Sequence, residues 1–228
     1  MYKLICFDLD DTLWPCMPTI QFAEQTLYNW LCEFKPEIAQ AYDIEQLRTK
    51  RKQLIQQQPE LMHDLSAARK VHLKQLAAET GDTDAWVESA FEVFYDARQK
   101  VILYDDVLPV LTELQKKYTL AALTNGNAHI SKTGLSDYFD FQVSAADVQA
   151  SKPDPAMFVS AMKKAGVSPQ QTIHVGDHPL HDIQGARNAG VDTVWLNRFA
   201  QTWDPGEVEP DQQFDNLNQF HNWLSELK

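Results

Sequence analysis

The sequence predicts an α/β protein: a doubly wound parallel sheet, Rossmann-like with strand order 3-2-1-4-5, carrying an inserted helical subdomain. Three observations carry that prediction. The chain opens on an apolar run, "LICF", that ends in acids. Residues 19–100 then lose almost every strand signal. From about residue 101, short strand-like runs alternate with helical periods, as parallel strands joined by helical crossovers do.

Residues 3–8 form the first expected strand. In the insert, "TIQFAEQTLYNWLCEF", "IEQLRTKRKQLIQQQ", "ELMHDLSAARKVHLKQLAAETG" and "DAWVESAFEVFYDARQK" are helical in composition and period. Leu65, Ala68, Val71, His72 and Leu76 share one face of the third. Gly81 is its stop, and Asp82 or Asp84 caps the next. Beyond the insert, Asp106 caps the helix "VLPVLTELQKKY". Strands follow near 119–124, 141–144, 171–176 and 192–196. Between them, "PAMFVSAMKKAG" is a helix closed by Gly166 and "DIQGARNAG" one closed by Gly190. Residues 198–211 read as a polar loop. The end of the chain reads as a helix with Phe214, Leu217, Phe220 and Leu224 on its apolar side. The expected domains are therefore a core of 1–14 with 101–228 and an insert of 15–100.

At 228 residues the chain is long enough for such a core with an insert. Its net charge of -12, with no basic stripe, argues against nucleic acid or an anionic membrane as partner. No stretch approaches the roughly 18 apolar residues of a membrane span. The first strand begins too early to leave room for a targeting segment, so a cytoplasmic protein is expected. Cys6, Cys16 and Cys32 lack Cys-x-x-Cys spacing, and Cys6 reads as a core residue. A small anionic substrate stays compatible with the charge, because one lysine and a divalent cation neutralise a site locally.

Chemistry-bearing residues follow each strand: Asp8, Asp10 and Thr12 the first, Thr124 and Asn125 the second, Lys152 the third, Asp177 and Asp182 the fourth. A parallel sheet places all of them on its carboxyl edge, where open α/β folds bind ligands. Phosphoryl transfer through an aspartyl intermediate uses each part. Asp8 attacks phosphorus, and Asp10 protonates the leaving alcohol and then activates water. Thr124, nearby backbone N–H groups and Lys152 hold the transferring oxygens. Asp177 with Asp8 offers hard oxygen ligands for Mg²⁺. His174, His178 and His181 invite a transition-metal reading, but the hard donors suit Mg²⁺ better, and His174 reads as a packed strand residue. Most aromatic residues of the insert read as helix-packing core. Trp14 reads instead as a stacking face beside the substrate cavity.

These motifs resemble the haloacid dehalogenase-like superfamily: "DLDDTL" its first motif, "LTNG" its second, "SKPDP" its third and "GDHPLHD" its fourth. The resemblance covers essentially the whole chain, the insert being similar to the family's helical cap. It implies Asp8 as nucleophile, Asp10 as acid/base, and Thr124 and Lys152 as phosphate binders. It implies Mg²⁺ held by Asp8, Asp177 and the backbone carbonyl of Asp10, with Asp182, Asn125 and Thr12 in support. "FDLDDTLW", "LTNGNA" and "HVGDHPLHDIQGARNAG" look most like bacterial flavin mononucleotide and riboflavin-precursor phosphatases, with substrate choice resting in the cap. A small phosphorylated metabolite is then the expected partner, and the chain a monomer or homodimer. Sugar-phosphate phosphatase and mutase remain alternatives. A 2-haloacid dehalogenase is less favoured, since a departing halide needs no proton and Asp10 would be idle. A phospho-receiver domain would need neither the insert nor an acid two residues past the nucleophile.

Overall fold

The computed structural model describes residues 1–204 and 206–227. Pro205, within the expected loop, and Lys228, at the expected end of the core, lie outside the described residues. The chain forms two compact units, Met1–Pro15 with Ile102–Lys228, and Cys16–Val101.

The first unit begins with β1 (Leu4–Phe7). The second unit holds α1 (Cys16–Phe34), α2 (Pro36–Ala41), α3 (Ile44–Gln57), α4 (Leu65–Glu79) and α5 (Val87–Arg98). The first unit resumes with α6 (Val107–Leu114), β2 (Thr119–Thr124), β3 (Phe141–Ser144), α7 (Ala145–Val148) and α8 (Ala156–Ala165). It continues with β4 (Thr172–Gly176), α9 (Gly185–Asn188), β5 (Asp192–Leu196), β6 (Gln212–Phe214) and α10 (Leu217–Glu226). The sheet order is β3-β2-β1-β4-β5-β6, and every pairing is parallel. The expected order 3-2-1-4-5 is present, with β6 added at one edge.

β1 and β4 are buried along their whole length because helices cover both faces of the sheet. Leu4 and Cys6 point to one face, where they join Ala121, Leu123, Met157, Phe158 and Ala186 in a single apolar cluster. Phe7 points to the other and meets Phe220 of α10 edge-on at 6.3 Å. The period of two along β1 thus loads both layers from one short strand.

Sequence pattern missed β6, whose Gln212 and Gln213 carry no apolar alternation. Asp211 defines this edge instead: its Oδ2 accepts from the Thr193 N–H at 2.8 Å, and its Oδ1 from Arg187 at 2.7 Å. Phe214 therefore ends a strand and is not on the terminal helix. That helix starts at Leu217, where Asn216 accepts from the Gln219 N–H at 3.0 Å. Asp106 holds the N-cap position of α6 as expected, but its side chain makes no capping hydrogen bond. Its carboxylate is taken by Arg198 in two bonds of 3.0 and 2.9 Å, and by the Leu217 N–H at 2.7 Å. Arg198 also donates to the Thr12 carbonyl at 2.9 Å, and the Tyr104 N–H donates to the Leu13 carbonyl at 3.0 Å. The expected "DIQGARNAG" helix begins earlier, as a π-helical turn over Pro179–Gln184, before α9.

In the second unit, Ala23, Leu27 and Leu31 repeat every fourth residue of α1 and pack with Ala90 and Phe94 of α5. The buried face of α4 differs from the expected one. Ala68, His72 and Leu76 are buried, joined by Arg69, Leu73 and Ala77, whereas Leu65 is 38% exposed and Val71 half-buried. Neither Asp82 nor Asp84 caps α5: Asp82 accepts from the Thr83 N–H at 2.7 Å, and a 3₁₀ turn over Asp84–Trp86 precedes the helix. Among the described residues, no helix is long and apolar enough to cross a membrane.

His72 couples the stability of the second unit to pH. Burial, then the charges of Arg51, Arg69 and Lys50, push its imidazole down from 6.5 to about 3, with Glu79 opposing weakly. Between those values the unfolded chain binds a proton that the folded chain refuses, so stability falls as pH drops below 6.5. Urea unfolding at pH 5.5 should show a loss of about 1.4 kcal/mol attributable to this group. His72→Gln should flatten the dependence over that window, and an unchanged slope would remove His72 from the account.

Candidate active site

The buried β1 delivers Asp8 one residue beyond its end, where the Asp8 N–H still donates to the Val175 carbonyl at 2.9 Å. The ladder therefore aims the carboxylate over the carboxyl edge of the sheet. Asp11 turns the chain with φ of 60°, a left-handed conformation that Asp tolerates better than most residues. Two backbone bonds close this turn: Leu13 N–H to Leu9 carbonyl at 2.8 Å, and Asp11 N–H to Trp14 carbonyl at 2.7 Å. β2 ends on Thr124, and β4 is followed at once by Asp177. The loop between α7 and α8 brings Lys152. It is clamped to Asn125 from both sides, Lys152 N–H to Asn125 Oδ1 at 2.8 Å and Asn125 Nδ2 to Lys152 carbonyl at 3.0 Å.

One open cleft of about 170 Å³, wholly within the first unit, gathers Asp8, Asp10, Thr124, Asn125, Lys152, Asp177 and Asp182. Asp11, Gly126, His178 and His181 line it as well. The two histidines stack on each other, ring centroids 4.0 Å apart. Their place on the rim lacked a sequence signal beyond proximity to Asp177.

Lys152 is the buried centre. Its Nζ lies 2.6 Å from Asp8 Oδ1, 2.6 Å from Asp182 Oδ1 and 3.0 Å from the Leu123 carbonyl. Burial pulls its ammonium down, but the charges of Asp182 and Asp8 outweigh burial and hold it above the usual lysine range. Burial pushes Asp182 up, yet Lys152 and His174 overcome this and hold its carboxyl well below the usual range. His174 Nε2 sits 2.9 Å from Asp182 Oδ1, and the His178 N–H donates to Oδ2 at 3.0 Å. Asp8 moves the other way: burial pushes it up, Lys152 opposes, and Asp182 and Asp177 add to the rise. Asp177 is pushed up to about 7 by burial and then by the charges of Asp182 and Asp11.

Gly176 is required by this packing. A Cβ there would lie 2.3 Å from Asp182 Cγ, so only glycine lets the two segments close together.

Two expected site residues lie beneath the cleft instead of lining it. Thr12 is fully buried, its hydroxyl 3.3 Å from Asp8 Oδ2 and 3.2 Å from Asp177 Oδ1; one proton serves one carboxylate at a time. Trp14 is also fully buried, which overturns its reading as a stacking face for ligand. Its indole Nε1 donates to Asp10 Oδ1 at 2.8 Å, because the turn folds residue 14 back onto residue 10. Thr124 accepts from the Gly126 N–H at 2.9 Å, leaving its own proton to donate.

Oxygens of Asp8, Asp177 and Asp182 all lie within 4.8 Å of one another. This hard, anionic set fits a divalent metal ion. The third carboxylate of the cluster is Asp182, where the resemblance implied the Asp10 backbone carbonyl. Asp182 oxygens already accept from Lys152, His174 and His178, so Asp8 and Asp177 retain the freer lone pairs.

Comparison with known proteins places this arrangement. The family model described as haloacid dehalogenase-like hydrolase matches residues 2–190. The chain is 30% identical over 208 residues to the 5-amino-6-(5-phospho-D-ribitylamino)uracil phosphatase of Escherichia coli (strain K12), covering 88% of this chain and 87% of that one. It is 27% identical over 239 residues to the glyceraldehyde 3-phosphate phosphatase of Methanopyrus kandleri, covering 100% and 99%. Among solved structures, a 2-haloacid dehalogenase from Pseudomonas syringae pv. tomato DC3000 superposes with a TM-score of 0.93 at 38% identity, over the full length of both chains.

Removing the central cation should be costly. Lys152→Met leaves Asp8 and Asp182 facing each other in a buried site and should destabilise the protein by about 3–5 kcal/mol in urea unfolding. Isothermal calorimetry should detect Mg²⁺ binding to the parent, weakened about tenfold or more by Asp177→Asn. Equal affinity in the two proteins would remove Asp177 from the metal set.

Proposed function

The chain belongs to the haloacid dehalogenase-like hydrolase family, and within it we propose a phosphatase that hydrolyses phosphate monoesters of small sugar- or polyol-like metabolites. The observation that carries this reading is the convergence of Asp8, Asp10, Thr124, Lys152 and Asp177 on one cleft. A nucleophile, a proton carrier, anion-binding groups and metal ligands are thereby within reach of a single phosphoryl group.

Asp8 attacks phosphorus through a carboxylate oxygen, the ester P–O bond breaks, and an aspartyl phosphate forms. Asp10 gives its proton to the departing alkoxide. It then takes a proton from the water that hydrolyses the acyl phosphate and restores Asp8. Trp14 Nε1 donates to Asp10 Oδ1 and so orients the carboxyl group that carries that proton. The Thr124 hydroxyl binds a transferring oxygen, while Lys152, its three N–H groups committed to Asp8, Asp182 and the Leu123 carbonyl, acts through its charge, offsetting negative charge on nucleophile and phosphoryl group together. Mg²⁺ on Asp8 and Asp177, with Asp182 beside them, would supply further charge neutralisation as phosphate approaches three carboxylates.

The substrate class is a phosphate on a primary alcohol of a sugar or polyol chain. Relatives named for a ribityl phosphate and for glyceraldehyde 3-phosphate both point to this chemistry. Flavin mononucleotide and riboflavin-precursor ribityl phosphates are the narrower members of it, supported by the motif resemblance. The likeness to a solved 2-haloacid dehalogenase favours a second reading, displacement of halide by Asp8. The tryptophan-held Asp10 supports the ester reading over it, because halide leaves without a proton.

A panel of ribityl, sugar, glycerol and flavin phosphates, assayed for released phosphate beside 2-chloropropionate assayed for chloride, decides between them. Phosphate release abolished by Asp8→Asn, with no chloride, is the expected result. Chloride release alone would install the second reading. Asp10→Asn should slow alkyl phosphates about 10²–10⁴-fold while sparing aryl phosphates with good leaving groups. Trp14→Phe should show the same leaving-group bias to a smaller degree, and equal losses on both substrate types would make Trp14 a packing residue only.

A further inference from the structure

Within the second unit, α1, α3 and α4 border a small, partly open pocket lined by Glu24, Arg48, Arg51, Arg69 and His72 and walled elsewhere by leucines, Ile44 and Tyr28. Such a concentration of arginine is out of keeping with a chain of net charge -12. Glu24, only 5% exposed, is the shared acceptor. Arg48 takes its Oε2 at 2.6 Å and Arg51 its Oε1 at 2.8 Å. Arg48 also reaches Glu45 at 2.5 Å, on the solvent side.

That leaves Arg69. Its guanidinium is buried, and its nearest carboxylate oxygen among the described residues is Glu24 Oε1 at 3.6 Å, beyond good hydrogen-bond distance. One face is stacked on Phe94, 3.3 Å from the ring centroid, so its donors are confined to the guanidinium edge. Burial pulls Arg69 well below the usual arginine range, the charge of Arg51 adds to the fall, and Glu24 opposes it. His72 supplies a second unmet group: it is 3% exposed, and its Nε2 is buried without a hydrogen-bond partner. Three guanidinium groups thus converge on two carboxylates, one of them at the surface, and the surplus positive charge of the buried Arg69 faces this pocket. Water can fill hydrogen bonds there but cannot balance a buried charge.

We propose that this pocket binds a small monoanion, a halide or short-chain carboxylate, held by the edge of Arg69, by Arg51 and by the Nε2–H tautomer of His72. The leucine walls favour a compact anion with an apolar body over a strongly hydrated dianion. One bound negative charge balances the surplus; two would exceed it. The inference concerns the insert alone and does not rest on the phosphatase reading.

Bromide, acetate and inorganic phosphate are the probes, used on the full chain with ionic strength held by the sodium salt of a bulky sulfonate buffer. Crystals grown in bromide should show an anomalous peak within contact distance of Arg69. In solution, bromide and acetate should raise the melting midpoint saturably, by about 2–4 °C, and phosphate should not. Arg69→Gln should abolish the saturable shift, and Arg51→Gln should raise the half-saturating concentration about tenfold. No anomalous peak at Arg69, or a shift that is linear in salt and equal in both variants, overturns the site. Should either variant fail to fold, the bromide peak in the parent decides.

Discussion

One buried ammonium organises the catalytic edge of this protein. Lys152 sits between Asp8 and Asp182, and without it two carboxylates would meet in a volume that water barely enters. A lone buried charge is expensive, and each member of this triad is tolerable only because the others are there. The neighbours extend the logic outward. Asn125 fixes the lysine backbone, Leu123 accepts a third bond from its head, and His174 and the His178 N–H hold Asp182 against it. Four segments distant in sequence are thereby locked at one edge of the sheet. Electrostatics, more than apolar packing, determines where the strand ends must lie.

The parts legible in the sequence were those governed by short periods. Buried parallel strands read as continuous apolar runs, so the strands ending near Asp8, Thr124 and Asp177 were visible, and with them the residues that follow. The two-residue spacing of Asp8 and Asp10 was visible for the same reason. What stayed hidden depended on contacts between distant residues. Nothing near Asp106 signals that Arg198 will claim its carboxylate. Nothing in Gln212 and Gln213 signals a strand, because Asp211 and Thr193 define that edge. Trp14 is the instructive case. A large aromatic just past an acidic motif suggests a ligand platform, yet the tight turn through Asp11 buries the ring and puts its N–H to use on Asp10.

The two units settle their charges by different means. In the first, acids outnumber the cation at the cleft, a deficit suited to recruiting a metal ion and an attached phosphate. In the second, arginines outnumber the acids lining a pocket whose wall is otherwise mostly leucine. A net charge of -12 averages over these opposite local conditions and describes neither.

The backbone bond from Tyr104 to Leu13 has a consequence for how such a chain can change over time. Residues on either side of an eighty-odd-residue excursion are held one hydrogen bond apart, and Arg198 braces the same spot through the Thr12 carbonyl. To the sheet, the excursion is a detour whose two ends already coincide. Lengthening, shortening or exchanging it adds little closure entropy, which grows only with the logarithm of loop length. The geometry of Asp8 and Asp10 is secured on the near side of that junction. Hydrolytic chemistry can therefore be inherited unchanged while everything between the two ends is rewritten.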